Sequence, residues 1–126
     1  MKIKRNEPPR EFECGFGPKV TMKDCAHIEL DADEQITLVT ERGGEYDVAR
    51  KNWGFYATPS INGRLTRFGF RTALVKNRLG QFFIMLVEHG GESDFELYLI
   101  DEGLTVSGWL DEETLASIDK QETPIA

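Results

Sequence analysis

The sequence predicts an α+β fold, mainly antiparallel β: a roll or partly closed barrel of about seven short strands with one or two C-terminal helices. Three observations point there. Short runs rich in β-branched and aromatic residues recur between Val20 and Val87. Turns bearing glycine separate them, and such short connections join neighbouring strands in antiparallel fashion. Helix signals gather only towards the C-terminal end.

Residues 1–18 read as a weakly structured segment, because Pro8-Pro9 and Gly15-Phe16-Gly17-Pro18 are breakers. Between them Glu11 to Cys14 suits a short strand. From Val20 an alternating strand begins. Val20, Met22, Ala26, Ile28 and Leu30 share one face, with Asp24 interrupting, and Cys25, His27 and Glu29 share the other. Gln35 to Glu41 and Glu45 to Arg50 flank Gly43-Gly44 and predict a hairpin, since glycine accepts the positive φ of tight turns. Trp53 to Thr58 is the next strand, stopped by Pro59, which has no N–H for a ladder.

Asn62-Gly63 predicts a type I′ turn into a strand from Leu65 to Lys76. On that strand Phe68, Phe70, Thr72 and Leu74 form a core face. Leu65, Arg67, Gly69, Arg71 and Ala73 form the other. After a turn at Asn77–Gly80, Gln81 to Val87 is apolar on both faces and calls for cover on both sides. Ser93-Asp94-Phe95-Glu96 has capping-box spacing and Gly103 is a natural stop, so 93–102 reads as a helix. Phe95, Leu97 and Leu99 also alternate as a strand would. Thr105 to Leu110 suits a short strand. Asp111 to Ile118 suits a helix capped by Asp111. The single domain runs over 19–119, and 120–126 is expected to fray.

Composition bounds the function. The 126 residues have the size of one domain, and their net charge is −7. Charge is uneven: residues 1–41 carry 6 basic and 9 acidic side chains, 42–82 carry 8 and 2, and 83–126 carry 1 and 11. Overall acidity argues against a nucleic-acid coat protein, but not against a local basic patch. No apolar run has the length of a membrane span, and the start MKIKRNEPPREFE lacks the apolar core of a signal peptide. The expected location is therefore cytoplasmic, where Cys14 and Cys25 read as free thiols; a single bridge between them stays open.

The densest chemistry lies between Arg50 and Gly80, where aromatic and basic residues interleave and no acid occurs. Guanidinium forks suit phosphate or carboxylate, and aromatic faces suit bases and sugars. Tyr56, Arg64, Arg67 and Arg71 are the candidate ligand contacts. They fit a small binding domain holding an anionic ligand: a nucleotide, a nucleotide-linked or acidic sugar, or single-stranded nucleic acid. Against that, Trp53, Phe55, Phe68 and Phe70 suit a core, and the basic segment suits neutralising the acidic C-terminal part. An alternative is an assembly protein that homodimerises through its β-sheet, driven by the apolar 81–87 strand. The third is a small enzyme built on Cys25, His27 and Glu29, whose residue types suit a metal or an activated thiol. That set lacks paired metal-ligand spacing, so no metal, cofactor or catalytic residue is assigned.

Overall fold

The structure is a computed structural model and describes residues 1–120. Among the described residues eight strands form three small antiparallel sheets, with three helices in the second half of the chain. The fold is therefore α+β and mainly antiparallel, as expected, and its strands do not close into a barrel.

A long two-stranded ribbon comes first. Strand β1 (Lys2–Cys14) pairs with β2 (Val20–Glu29) along almost its whole length. The expectation of a weakly structured 1–18 is thus corrected. Pro8-Pro9 does not break the strand, because the register shifts between Arg5 and Arg10. A bulge there needs no ladder N–H from either proline. Cys14 pairs with Val20, which leaves Cys25 five positions further along β2; both thiols are free, so no 14–25 bridge forms.

The second sheet has the order β3-β4-β5, from β3 (Gln35–Val39), β4 (Glu45–Lys51) and β5 (Gly54–Ala57). The Gly43-Gly44 hairpin forms as read. The buried carboxylate of Asp47 on β4 accepts the Thr37 hydroxyl at 2.6 Å.

The next segment departs from expectation. Asn62-Gly63 does not turn a hairpin; the chain winds into the single helical turn α1 (Arg64–Arg67). The Ser60 carbonyl accepts the N–H groups of Gly63 and Leu65, and the Ser60 hydroxyl accepts that of Arg64. This winding buries Leu65 to 2 % exposure instead of aligning it with the arginines. Gly69, at φ +95, then reverses the chain into β6 (Phe70–Lys76). Positive φ is what a side-chain-bearing residue resists there.

Strand β6 is the centre of the third sheet, ordered β7-β6-β8 with β7 (Phe82–Glu88) and β8 (Thr105–Trp109). Phe70, Thr72, Ala73 and Val75 of β6 are buried, so this strand, not only one face of it, is the core. Strand β7 is an edge, and its Phe82, Phe83 and Ile84 stand at 56, 44 and 57 % exposure. The two-sided cover expected for it is missing at that end.

Helix α2 (Glu92–Glu102) links β7 to β8 and closes at Gly103, φ +64. Its start differs from the capping-box reading: Gly91 is the N-cap and Ser93 caps nothing. The Glu92 carboxylate instead accepts the Gly90 N–H, which holds its pKa below the usual carboxylate range. Helix α3 (Glu112–Lys120) is capped by Asp111 as predicted, with the Thr114 N–H donating to Oδ1 at 3.1 Å. The fraying expected beyond Lys120 lies outside the described residues. Among the described residues no helix is long and apolar enough to cross a membrane.

The ribbon is tied down at its tip. The buried carboxylate of Glu102 accepts the N–H groups of Phe16 and Gly17 at 2.6 and 2.7 Å.

Candidate functional site

A hollow of 510 Å³ opens where α1, the start of β6 and the β8–α3 junction meet. Arg67, Arg71, Thr66, Thr72, Trp109 and Asp111 are among the residues that line it. A second hollow of 390 Å³ shares Thr66, Arg71 and Trp109 and adds His89 and Glu92. Arg71 and Trp109 thus stand on the boundary between two adjoining openings.

Each side chain has a local reason for its place. Arg67 ends α1, and the turn at Gly69 sends the chain back so that Arg71 follows on β6. Trp109 is delivered by the β6–β8 pairing, in which it stands opposite Ala73. The Arg71 guanidinium carbon lies 4.1 Å from the Trp109 ring centroid, within cation–π range. Phe95 of α2 braces the same indole edge-on, with centroids 5.9 Å apart. The Leu110 N–H donates to the Thr72 carbonyl at 2.9 Å and fixes the β8 end against β6.

Charge in the hollow is divided. Among the described residues, neither Arg67 nor Arg71 makes an ion pair within 4.0 Å. The nearby Asp111 is engaged as the α3 cap. The Thr114 backbone N–H, then its hydroxyl, hold the Asp111 carboxyl below the usual range, and the charge of Arg71 adds to this. The buried Thr72 hydroxyl has no hydrogen-bond partner among the described residues.

Of the four ligand candidates read from the sequence, Arg67 and Arg71 come together here. Arg64 does not. It turns towards β4 and β5, with Nη2 3.1 Å from Thr58 Oγ1 and 3.7 Å from the Asp47 carboxylate, and it lies over Phe68. Tyr56 lies on β5 and stacks on Trp53 at 5.9 Å, outside both hollows. The strand expected from Trp53 begins only at Gly54, because Asn52-Trp53 is the turn between β4 and β5. Of the four aromatics read as core or groove, Phe70 is buried, while Trp53 stands 71 % exposed.

Cys25, His27 and Glu29 are all exposed on the ribbon. The Cys25 thiol faces the Lys23 carbonyl at 3.5 Å, His27 lies 3.6 Å from Asp24, and Glu29 lies 3.7 Å from Lys2. Each therefore has its own neighbour. Among the described residues no group of three or more His, Cys, Asp or Glu side chains is placed to hold a metal ion.

Trp109 and the two threonines were not singled out from the sequence. No local pattern links position 109 to position 71; only the non-local pairing of β6 with β8 does. The chain matches no protein-family model, no curated protein and no solved structure.

Proposed function

We propose that this chain is a small binding domain that holds an anionic, ring-bearing small molecule in the Arg67–Arg71–Trp109 hollow. The carrying observation is the convergence of Arg67 and Arg71, from two different elements, on one opening beside an indole. Guanidinium forks recognise phosphate or carboxylate oxygens, and the indole offers a face for a base or sugar. A nucleotide or a nucleotide-linked acidic sugar combines those two features. The volume of 510 Å³ falls in the range of small-molecule sites. The carboxylates of Asp111 and Glu112 on the same lining disfavour a long polyanion, so single-stranded nucleic acid is the poorer fit. A cytoplasmic setting suits the two exposed thiols.

Titration with ADP and with UDP-glucuronic acid, followed by tryptophan fluorescence and calorimetry, tests this. Saturable binding by at least one, abolished in Arg67→Ala/Arg71→Ala, is expected. Absence of binding by both, or binding indifferent to the double variant, overturns it. Preferential binding of a single-stranded oligonucleotide with a steep salt dependence would move the site to nucleic acid.

A second function, self-assembly, is favoured by a separate observation. The edge strand β7 leaves Phe82, Phe83 and Ile84 largely in water, and uncovered apolar edges are where chains associate.

A further inference from the structure

The chain exposes 9488 Å². A compact monomer of 14.3 kDa exposes about 6,800 Å². Even if residues 121–126 were wholly in water, they would account for only about 900 Å² of the excess. About 1,800 Å² per chain is left, and obligate dimers remove about 1,000–2,500 Å² from each partner.

The ribbon is the most open part of the chain: 19 of its 23 strand residues are exposed. Cross-strand partners share a face, and the register pairs Ile3 with Ile28, Phe12 with Met22 and Cys14 with Val20. One side of the ribbon is therefore largely apolar, and Ile3, Phe12, Val20, Met22 and Ile28 are each 41–54 % exposed. A two-stranded ribbon with a bare apolar side is marginal in water.

The outward side of α2 has the matching form. Leu97 and Ile100, one helical turn apart, stand at 59 and 73 % exposure, framed by the exposed Asp94, Glu96 and Asp101. By the same register Arg5, opposite Ala26, and Arg10, opposite Asp24, stand on the apolar side of the ribbon, whereas Lys2 and Lys4 stand on its other side. An apolar side that carries Arg5 thus has its complement in an apolar patch framed by acids. Opposite charges set beside apolar patches select orientation and speed association.

The two surfaces are neighbours in one chain, because Glu102 at the end of α2 fastens the ribbon tip. Two adjoining complementary patches satisfy each other across a single two-fold axis. We propose that a second copy of this chain covers both: the apolar side of each ribbon lies on the outward side of α2 of the other copy. The inference deepens the self-assembly function and does not depend on the ligand site.

The experiment measures mass by light scattering at micromolar concentration for the full chain, for Met22→Glu, for Ile100→Glu, and for an equimolar mixture of the two variants. Circular dichroism checks that each variant is folded; Met22 and Ile100 stand 46 and 73 % exposed in the single chain, so folding is retained. The full chain runs as a dimer. Each variant alone runs at the monomer mass. The mixture regains a dimer, because one intact ribbon then meets one intact helix face. A monomeric full chain overturns both the ribbon contact and self-assembly. A dimer that survives both substitutions overturns the ribbon contact alone and leaves assembly through β7. Dimeric variants that differ, with Ile100→Glu unaffected, would assign a ribbon-on-ribbon contact and equally overturn the proposal.

Discussion

The guanidinium of Arg71 rests on the indole of Trp109, 4.1 Å from its ring centroid, although the two residues come from different strands of the third sheet. An arginine laid flat on a ring keeps its N–H edge free for an anion while the ring takes up its apolar face. Arg71→Ala is therefore expected to weaken binding of a phosphate-bearing probe by about tenfold or more, the loss of one charge-assisted hydrogen bond. Arg64→Ala is the control. Arg64 is spent on Thr58 and Asp47, so its removal should lower thermal stability and leave affinity unchanged. Calorimetric titration of both variants separates the roles; an equal loss of affinity in both would contradict them.

Acid should loosen the start of α3. The Asp111 carboxyl titrates below the usual range because the Thr114 N–H binds its ionised form, with the Thr114 hydroxyl and Arg71 adding to the effect. A depressed pKa in the folded chain means the cap acts fully above the unfolded aspartate value, about 3.9. Its contribution is lost as pH falls through the lower folded value. The Thr114 amide resonance should report that midpoint, and Asp111→Asn should flatten the profile. A bound anion beside Arg71 should move the midpoint upward, since it offsets the positive charge. A midpoint at or above the ordinary value would refute this.

Glu102 should be costly to replace. It is buried and satisfies two backbone donors, at Phe16 and Gly17. Glu102→Ala leaves both unpaired, a loss of about 3 kcal/mol. Gly17→Ala should unfasten the same tip by another route, because a Cβ there would sit 2.1 Å from the Asp101 carbonyl oxygen. Hydrogen exchange at the Phe16 and Gly17 amides reads both variants. Protection retained in Glu102→Ala would show that the tip is held otherwise.

Leu65 tests the departure of α1 from the expected strand. At 2 % exposure its truncation to alanine should cost about 2–5 kcal/mol in denaturant unfolding. A residue sharing an open strand face with Arg67 would cost far less, and so would disprove the helical turn.

What the sequence made legible was local. Two glycines between β-prone runs placed the β3–β4 hairpin, Gly103 marked the end of α2, and Asp111 announced α3. Arg67 and Arg71 were found for a partly mistaken reason. Alternation put them on one strand, whereas a helical turn and the reversal at Gly69 bring them to one hollow. The rest depended on distant partners. Trp109 joins the site only because β8 pairs with β6. Pro8-Pro9 looked like a stop because nothing nearby showed β2 waiting opposite with a register shift to accommodate them.

The Glu102 clasp joins positions 86 residues apart. Synthesis delivers the chain from its N-terminus, so the first hairpin emerges long before the carboxylate that fastens it. While the ribosome is still adding the central strands, the tip of that hairpin has no anchor and its greasy side has no shelter. That hairpin is thus made well before it is secured, and newborn chains should depend on chaperone protection until α2 appears.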